Sequence, residues 1–148
     1  MKIETSHFAA AALALFATLS VGGARAQDQY VQQLLAQLEI AAYPFASAGY
    51  YGILGEGGAL GHQTYQDFRV TLNAGSDYAI LGVCDEDCYD LDVALYNLSG
   101  NLIVADTTED AAPLVPFTVT ESGSFTLRVT MYNCGVEPCY FGVGVYKR

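Results

Sequence analysis

Carboxylates and cysteines are the residues whose type and spacing could do chemistry in this chain. Asp85-Glu86-Asp87 and Asp90 crowd one short segment, and Asp106, Glu109 and Asp110 crowd another. Two carboxylates about 4 Å apart repel by about 1 kcal/mol even at the dielectric of water, and by more where water is excluded. A hard divalent cation that takes about six to eight oxygen ligands turns that repulsion into attraction, and calcium is the expected one outside cells. Asp85, Asp87, Asp90 and Asp106 are the expected ligands, with Asp110 and Asn133 in reserve. Asp85-x-Asp87-x-x-Asp90 lacks the glycine and the terminal glutamate of a helix-loop-helix calcium loop. The expectation therefore rests on charge density, and its competitor is a solvated acidic rim that keeps the protein soluble.

The cysteines stand as Cys84-x-x-x-Cys88 and Cys134-x-x-x-x-Cys139. An even count in an exported chain implies disulfides, and the spacing is looser than the C-x-x-C of thiolate metal sites. Three pairings are open, of which the two local ones are favoured. Cys134 and Cys139 would face each other at the end of a last hairpin, and a Cys84–Cys88 bond would bend Asp85 to Asp87 into one tight ring. Each small ring stabilises by only about 2 kcal/mol on loop entropy, so the bonds read as loop staples.

A search for catalysis returns little. His62 is the only histidine beyond residue 26, and neither G-x-S-x-G nor H-E-x-x-H occurs. Gly55-Glu56-Gly57-Gly58 has no Lys-Ser/Thr ending, and Glu56 would repel phosphate, so residues 46–61 read as turns and a linker. Tyr65, Tyr96, Tyr132 and Tyr146 fall at outward or strand-end positions. They could form an aromatic binding face for a protein or polysaccharide surface, or pack beneath a helix. No catalytic residue and no organic cofactor is expected.

These residues need elements to position them. Val31, Leu34, Leu35, Leu38 and Ala42 recur at three- and four-residue spacing, which predicts one amphipathic helix from Asp28, its cap, to about Ala42, ended by Pro44. Its apolar stripe must pack on something, most simply its own domain. Beyond Gly61 the period becomes two. Seven strands are predicted, around 68–72, 78–84, 91–96, 102–105, 115–120, 125–131 and 140–146, with turn signals such as Ser99-Gly100-Asn101. Such a pattern predicts an all-β antiparallel β-sandwich of jelly-roll type with one N-terminal amphipathic helix. If successive strands run antiparallel, one pole receives mainly neutral loops. The other receives Asp85, Glu86, Asp87, Asp90, Asp106, Glu109, Asp110, Glu137 and all four cysteines.

Lys2, the apolar run 8–19 and Ala24-Arg25-Ala26 form a secretory signal pattern, too short to span a bilayer. Cleavage after Ala26 would remove Lys2, Arg25 and Glu4 and take the net charge from −10 to −11. The expected organisation is a signal peptide at 1–26, helix and linker at 27–48, and a sandwich domain at 49–148, in a periplasmic or secreted protein. With 6 basic against 16 acidic residues, a nucleic-acid or anionic-membrane partner is excluded as an expectation, whereas a cation or a protein or polysaccharide surface is favoured.

Three stretches then become legible together: Asp90-Leu91-Asp92-Val93-Ala94-Leu95-Tyr96-Asn97-Leu98-Ser99-Gly100-Asn101, Glu121-Ser122-Gly123-Ser124-Phe125-Thr126-Leu127-Arg128-Val129, and Tyr140-Phe141-Gly142-Val143-Gly144-Val145. They resemble bacterial pre-peptidase C-terminal domains, across residues 50–148. The resemblance implies a secreted jelly-roll sandwich with a non-catalytic accessory or targeting role, and related collagen-binding modules use calcium. Here it would be a stand-alone secreted protein with an added helix and four cysteines. The expected function is thus an exported binding or accessory module with a calcium-binding acidic pole. The alternative is an envelope structural or interaction protein that docks a partner through its helix and tyrosine face.

Overall fold

The computed structural model describes residues 22–148, so most of the expected signal segment lies outside the described residues. Helix α1 (Gly22–Ser47) is followed by β1 (Tyr51–Leu60), β2 (Thr64–Leu72), β3 (Asp77–Cys84), β4 (Cys88–Tyr96), β5 (Leu102–Asp106), β6 (Leu114–Thr118), β7 (Gly123–Cys134) and β8 (Cys139–Lys147). The strands form two four-stranded antiparallel sheets, ordered β1-β8-β3-β6 and β2-β7-β4-β5. Only β4 and β5 are consecutive neighbours within a sheet; every other connection crosses between sheets. This is the double Greek key of a jelly roll.

Strand alternation places the core. Val70, Leu72, Leu91, Val93, Leu95, Leu127, Val129 and Met131 of one sheet meet Tyr78, Ile80, Val115, Phe141, Val143 and Val145 of the other, all buried. Strands β3 and β8 are central in their sheet and are covered on both faces, which is why residues 78–83 form a continuous apolar run rather than an alternating one.

The second cover is α1. Its buried Leu38 and Ala42 lie over Ala79, Leu81, Val83 and Tyr146, and its buried Leu34 lies by Gly142 of β8, so the stripe packs on its own domain as predicted. Burying a leucine contributes about 1.5–3 kcal/mol. The helix is longer than predicted at both ends: Asp28 lies inside it rather than capping it, and it runs through Pro44 to Ser47. Pro44 and Ile40 are both exposed, so water can satisfy the carbonyl that proline leaves without a donor.

The predicted linker at 46–61 is a correction, because most of it is β1, an eighth strand that pairs with β8 from Tyr51↔Lys147 to Leu60↔Cys139. Gly57 of β1 and Gly142 of β8 serve the helix. A Cβ on Gly57 would stand 2.9 Å from Val31 Cγ1 and 3.0 Å from the Phe141 carbonyl oxygen, and one on Gly142 3.4 Å from the backbone of Leu34. Absent side chains, rather than a flexible backbone, let helix and sheet meet this closely.

Candidate functional site

The loop parity read from the sequence holds in the folded chain. The β1–β2, β3–β4, β5–β6 and β7–β8 connections share one pole and are tied together there. The Gly135 N–H donates to the Asp87 carbonyl (2.8 Å), and Asp85 N–H and Tyr140 carbonyl pair at 3.0 Å. The Leu91 N–H donates to the Asp110 carbonyl (2.9 Å). His62 joins this pole: its N–H donates to Glu137 Oε1 (2.7 Å), and its Nδ1 accepts from the Cys134 N–H (3.3 Å). The sequence offered no signal for that contact, because His62 and Cys134 are brought together only by β1–β2 meeting β7–β8.

Both disulfides are local, Cys84–Cys88 and Cys134–Cys139, each with Cα atoms 5.9 Å apart. The second does not close a hairpin, as the sequence reading had it. β7 and β8 belong to different sheets, so the bond staples a crossover.

The expected ligands divide into two groups. Asp85 and Asp87 sit in the Cys84–Cys88 ring, where Asp85 Oδ2 accepts from the Tyr140 N–H (2.9 Å) and Asp85 Oδ1 is buried without a donor. Asp90, Asp106 and Asp110 meet on the other side, around β4 and the β5–β6 loop, and Asn133 is the exposed cross-strand partner of Asp90 at a bulge. Asp106 and Asp110 have their oxygens engaged. Asp106 accepts from the Thr108 N–H (3.2 Å) and the Leu114 N–H (2.9 Å), Asp110 accepts from the Ala112 N–H (2.8 Å), and the one Thr108 hydroxyl proton is shared between Asp106 Oδ1 (2.7 Å) and Asp110 Oδ2 (2.8 Å). They build the turn. Burial pushes the Asp106 carboxyl up, but these hydrogen bonds outweigh it and hold it below its ordinary value.

Asp90 and Asp92 are each left with one unmatched oxygen. Asp90 is only 6% exposed, and Oδ1 of each is buried with no hydrogen-bond partner. Burial, followed by the charges of Glu109 and Asp110, raises the Asp90 carboxyl against a backbone hydrogen bond from Asp110. Burial and then the charges of Asp90, Asp106 and Asp110 push Asp92 up to about 6. Asp92 is the member that sequence reasoning missed. Alternation within β4 puts it on the outer face, opposite the inward Leu91 and Val93. What it faces there depends on the β5–β6 loop, which alternation does not describe.

Among the described residues no group of three or more His, Cys, Asp or Glu side chains is arranged to hold a metal ion. Of the three orphaned oxygens, those of Asp90 and Asp92 lie on the same strand and are hard donors of the kind calcium takes, together with backbone carbonyls and water. No helix among the described residues is long and apolar enough to cross a membrane.

No protein-family model and no curated protein sequence matches the chain. Two solved structures share its fold. A periplasmic lysozyme inhibitor of g-type lysozyme, PliG of Aeromonas hydrophila, superposes with a TM-score of 0.51 at 9% identity, over 68% of this chain and 90% of its own. The pre-peptidase C-terminal domain of a collagenase from Bacillus anthracis superposes with a TM-score of 0.51 at 15% identity, over 62% of this chain and 87% of its own. At these identities the likeness is one of fold. It supports the fold expected from the Asp90–Asn101, Glu121–Val129 and Tyr140–Val145 stretches, while family membership itself has no matching model behind it.

Proposed function

We propose that this chain is an exported, non-catalytic binding module whose acidic pole takes up calcium through Asp90 and Asp92. The observation that carries this reading is the pair of buried carboxylate oxygens without a hydrogen-bond partner, Oδ1 of Asp90 and Oδ1 of Asp92, two residues apart on β4. A buried polar group without a partner costs about 1–3 kcal/mol, and more when charged, so a cation that both oxygens can reach removes a standing penalty. The Asp106 and Asp110 carboxylates add to the negative field there, while hydrogen bonds within the turn hold them in place. Two disulfides favour an oxidising compartment, periplasmic or extracellular. One fold neighbour is named as an inhibitor of g-type lysozyme, which supports a binding role.

Calorimetric titration of calcium into the oxidised, chelator-stripped chain tests this. One site per chain is expected, absent from the Asp90→Asn/Asp92→Asn double variant and not reproduced by magnesium. Heat identical to that of the double variant would leave the carboxylates as a solvated rim.

A second reading has its own observation. Ile40 and Tyr43 stand one turn apart on α1 and are 75% and 72% exposed, although the helix has already buried its stripe. This favours docking of a protein partner on the outer side of the helix. Self-association lost in an Ile40→Gln/Tyr43→Gln variant, with the melting temperature unchanged, would support it.

A further inference from the structure

Helix α1 covers one sheet and leaves the outer face of the other bare. On that bare face the register of β2, β7 and β4 sets side chains in rows. Arg69, Thr126 and Tyr96 form one row, Asp67, Arg128 and Ala94 the next, and Tyr65, Thr130 and Asp92 the third. Arg128 is fixed from several sides. Its Nε and NH2 donate to the two oxygens of Asp67 at 2.8 Å each, and its guanidinium lies 3.8 Å from the centroid of the Tyr65 ring and 5.5 Å from that of Tyr96.

Beside this fixed cluster is a shallow groove of about 320 Å³, lined by Asp67, Arg69, Tyr96, Asn97, Thr126 and Arg128 among others. That is near the lower end of the volumes that hold small ligands, enough for one or two rings. Its free polar groups are mostly donors. Lys147 bonds Asn73 and Arg148 bonds Asp77, but Arg69 makes no ion pair or hydrogen bond among the described residues. Asn97 Oδ1 is spent on the N–H groups of Ser99 and Asn101, which leaves its amide nitrogen to donate. With Arg128 neutralised by Asp67, the groove keeps the single positive charge of Arg69 in a chain of net charge −10.

We propose that this groove binds a saccharide carrying one carboxylate. The sugar carboxylate takes the guanidinium fork of Arg69, and its hydroxyls meet Thr126 and the Asn97 amide. The C–H face of its ring packs on the partly exposed Tyr96, on the side of the ring that Arg128 does not occupy. One carboxylate is specified because the overall negative charge of the chain repels a polyanion. This site goes beyond the calcium reading and does not depend on it: it uses other residues, and its test is run in chelator, so the two can fail separately.

The test is an amide-resolved NMR titration of the oxidised chain in chelator with cellobiouronic acid, set against cellobiose, acetate and a short acidic peptide. Saturable shifts at residues 69, 96–97 and 126 are expected. Binding should weaken about tenfold for cellobiose and for Arg69→Gln, and Arg69→Lys should recover part of it, as loss and partial return of one charge-assisted contact. Arg69 is exposed and partnerless among the described residues, so these variants should keep the wild-type melting temperature. If Arg69→Gln nevertheless misfolds, Thr126→Val and Tyr96→Leu repeat the test on the same groove. No saturable shifts, shifts elsewhere, equal binding of cellobiose, or tighter binding of acetate or the peptide would each overturn the proposal.

Discussion

The two sheets of the sandwich have outer faces made by opposite means. On the β1-β8-β3-β6 sheet, glycines and apolar side chains admit a helix to within van der Waals contact. On the β2-β7-β4-β5 sheet, polar side chains remain in water, and each carboxylate depends on the strand beside it. Asp67 faces Arg128 across the ladder, and the hydrogen bonds from that guanidinium, with its charge, lower its carboxyl despite partial burial. Asp92 lies on the same outer face, yet meets burial and then three other acids, and is pushed up to about 6. Side-chain type is identical in the two cases; cross-strand and loop neighbours decide whether the group is satisfied or frustrated.

The largest expected effect breaks the first half of that contrast. Gly57→Val should destabilise by about 1–3 kcal/mol, because its Cβ would press on both Val31 and the Phe141 carbonyl. Chemical denaturation should show it, with new protease sensitivity in α1 and little change on the bare sheet. An unchanged midpoint would mean that the helix is not seated on these glycines.

Frustration at Asp92 predicts the opposite sign. In chelator, Asp92→Asn should raise stability by about 1 kcal/mol, well below the full equivalent of the pKa shift once solvent screening is allowed for. Loss of stability would mean that the carboxylate has a donor after all.

The same group sets a pH dependence. Asp92 binds its proton near pH 6 when folded and near its ordinary 3.8 when unfolded. The folded chain therefore holds more protons between those values, and stability in chelator should rise as pH falls from about 7 through 6 toward 4. Below that window the lowered Asp67 and Asp106 should reverse the trend, because their stabilisation is lost as they protonate. Urea midpoints across pH would measure this, and a wild-type profile matching that of Asp92→Asn would remove the group from the account.

The smallest effect should come from the satisfied carboxylate. Asp67→Asn should cost no more than about 1 kcal/mol, because its partner is one-third exposed and the pair is screened by salt. A larger loss would show that the cross-strand pair and the Tyr65 stack act together.

Period-two alternation carried the strands at 68–72, 91–96 and 125–131, apolar runs between turn signals carried four more of the eight, and a 3.6-residue stripe carried the helix. Parity alone then brought Asp90, Asp106 and Asp110 to one pole. β1 was not legible because Gly52, Gly55, Gly57 and Gly58 look like a linker when neither β8, with which the strand pairs, nor the helix that meets Gly57 is in view. Asp92 and the Asp67–Arg128 pair were not legible for a related reason. Alternation assigns a residue to a face, but 61 residues separate Arg128 from Asp67 and only the sheet order brings them together.

The central claim is that Asp90 and Asp92 wait for a cation. The most direct test is the melting temperature of the oxidised chain in chelator and in saturating calcium, with magnesium at matched ionic strength as control. At about 100 times its dissociation constant, a ligand that binds only the folded chain adds about 2.7 kcal/mol. The account predicts a calcium-specific rise of that order, abolished by Asp90→Asn/Asp92→Asn. A melting temperature indifferent to calcium, or an equal rise in the double variant, would contradict it.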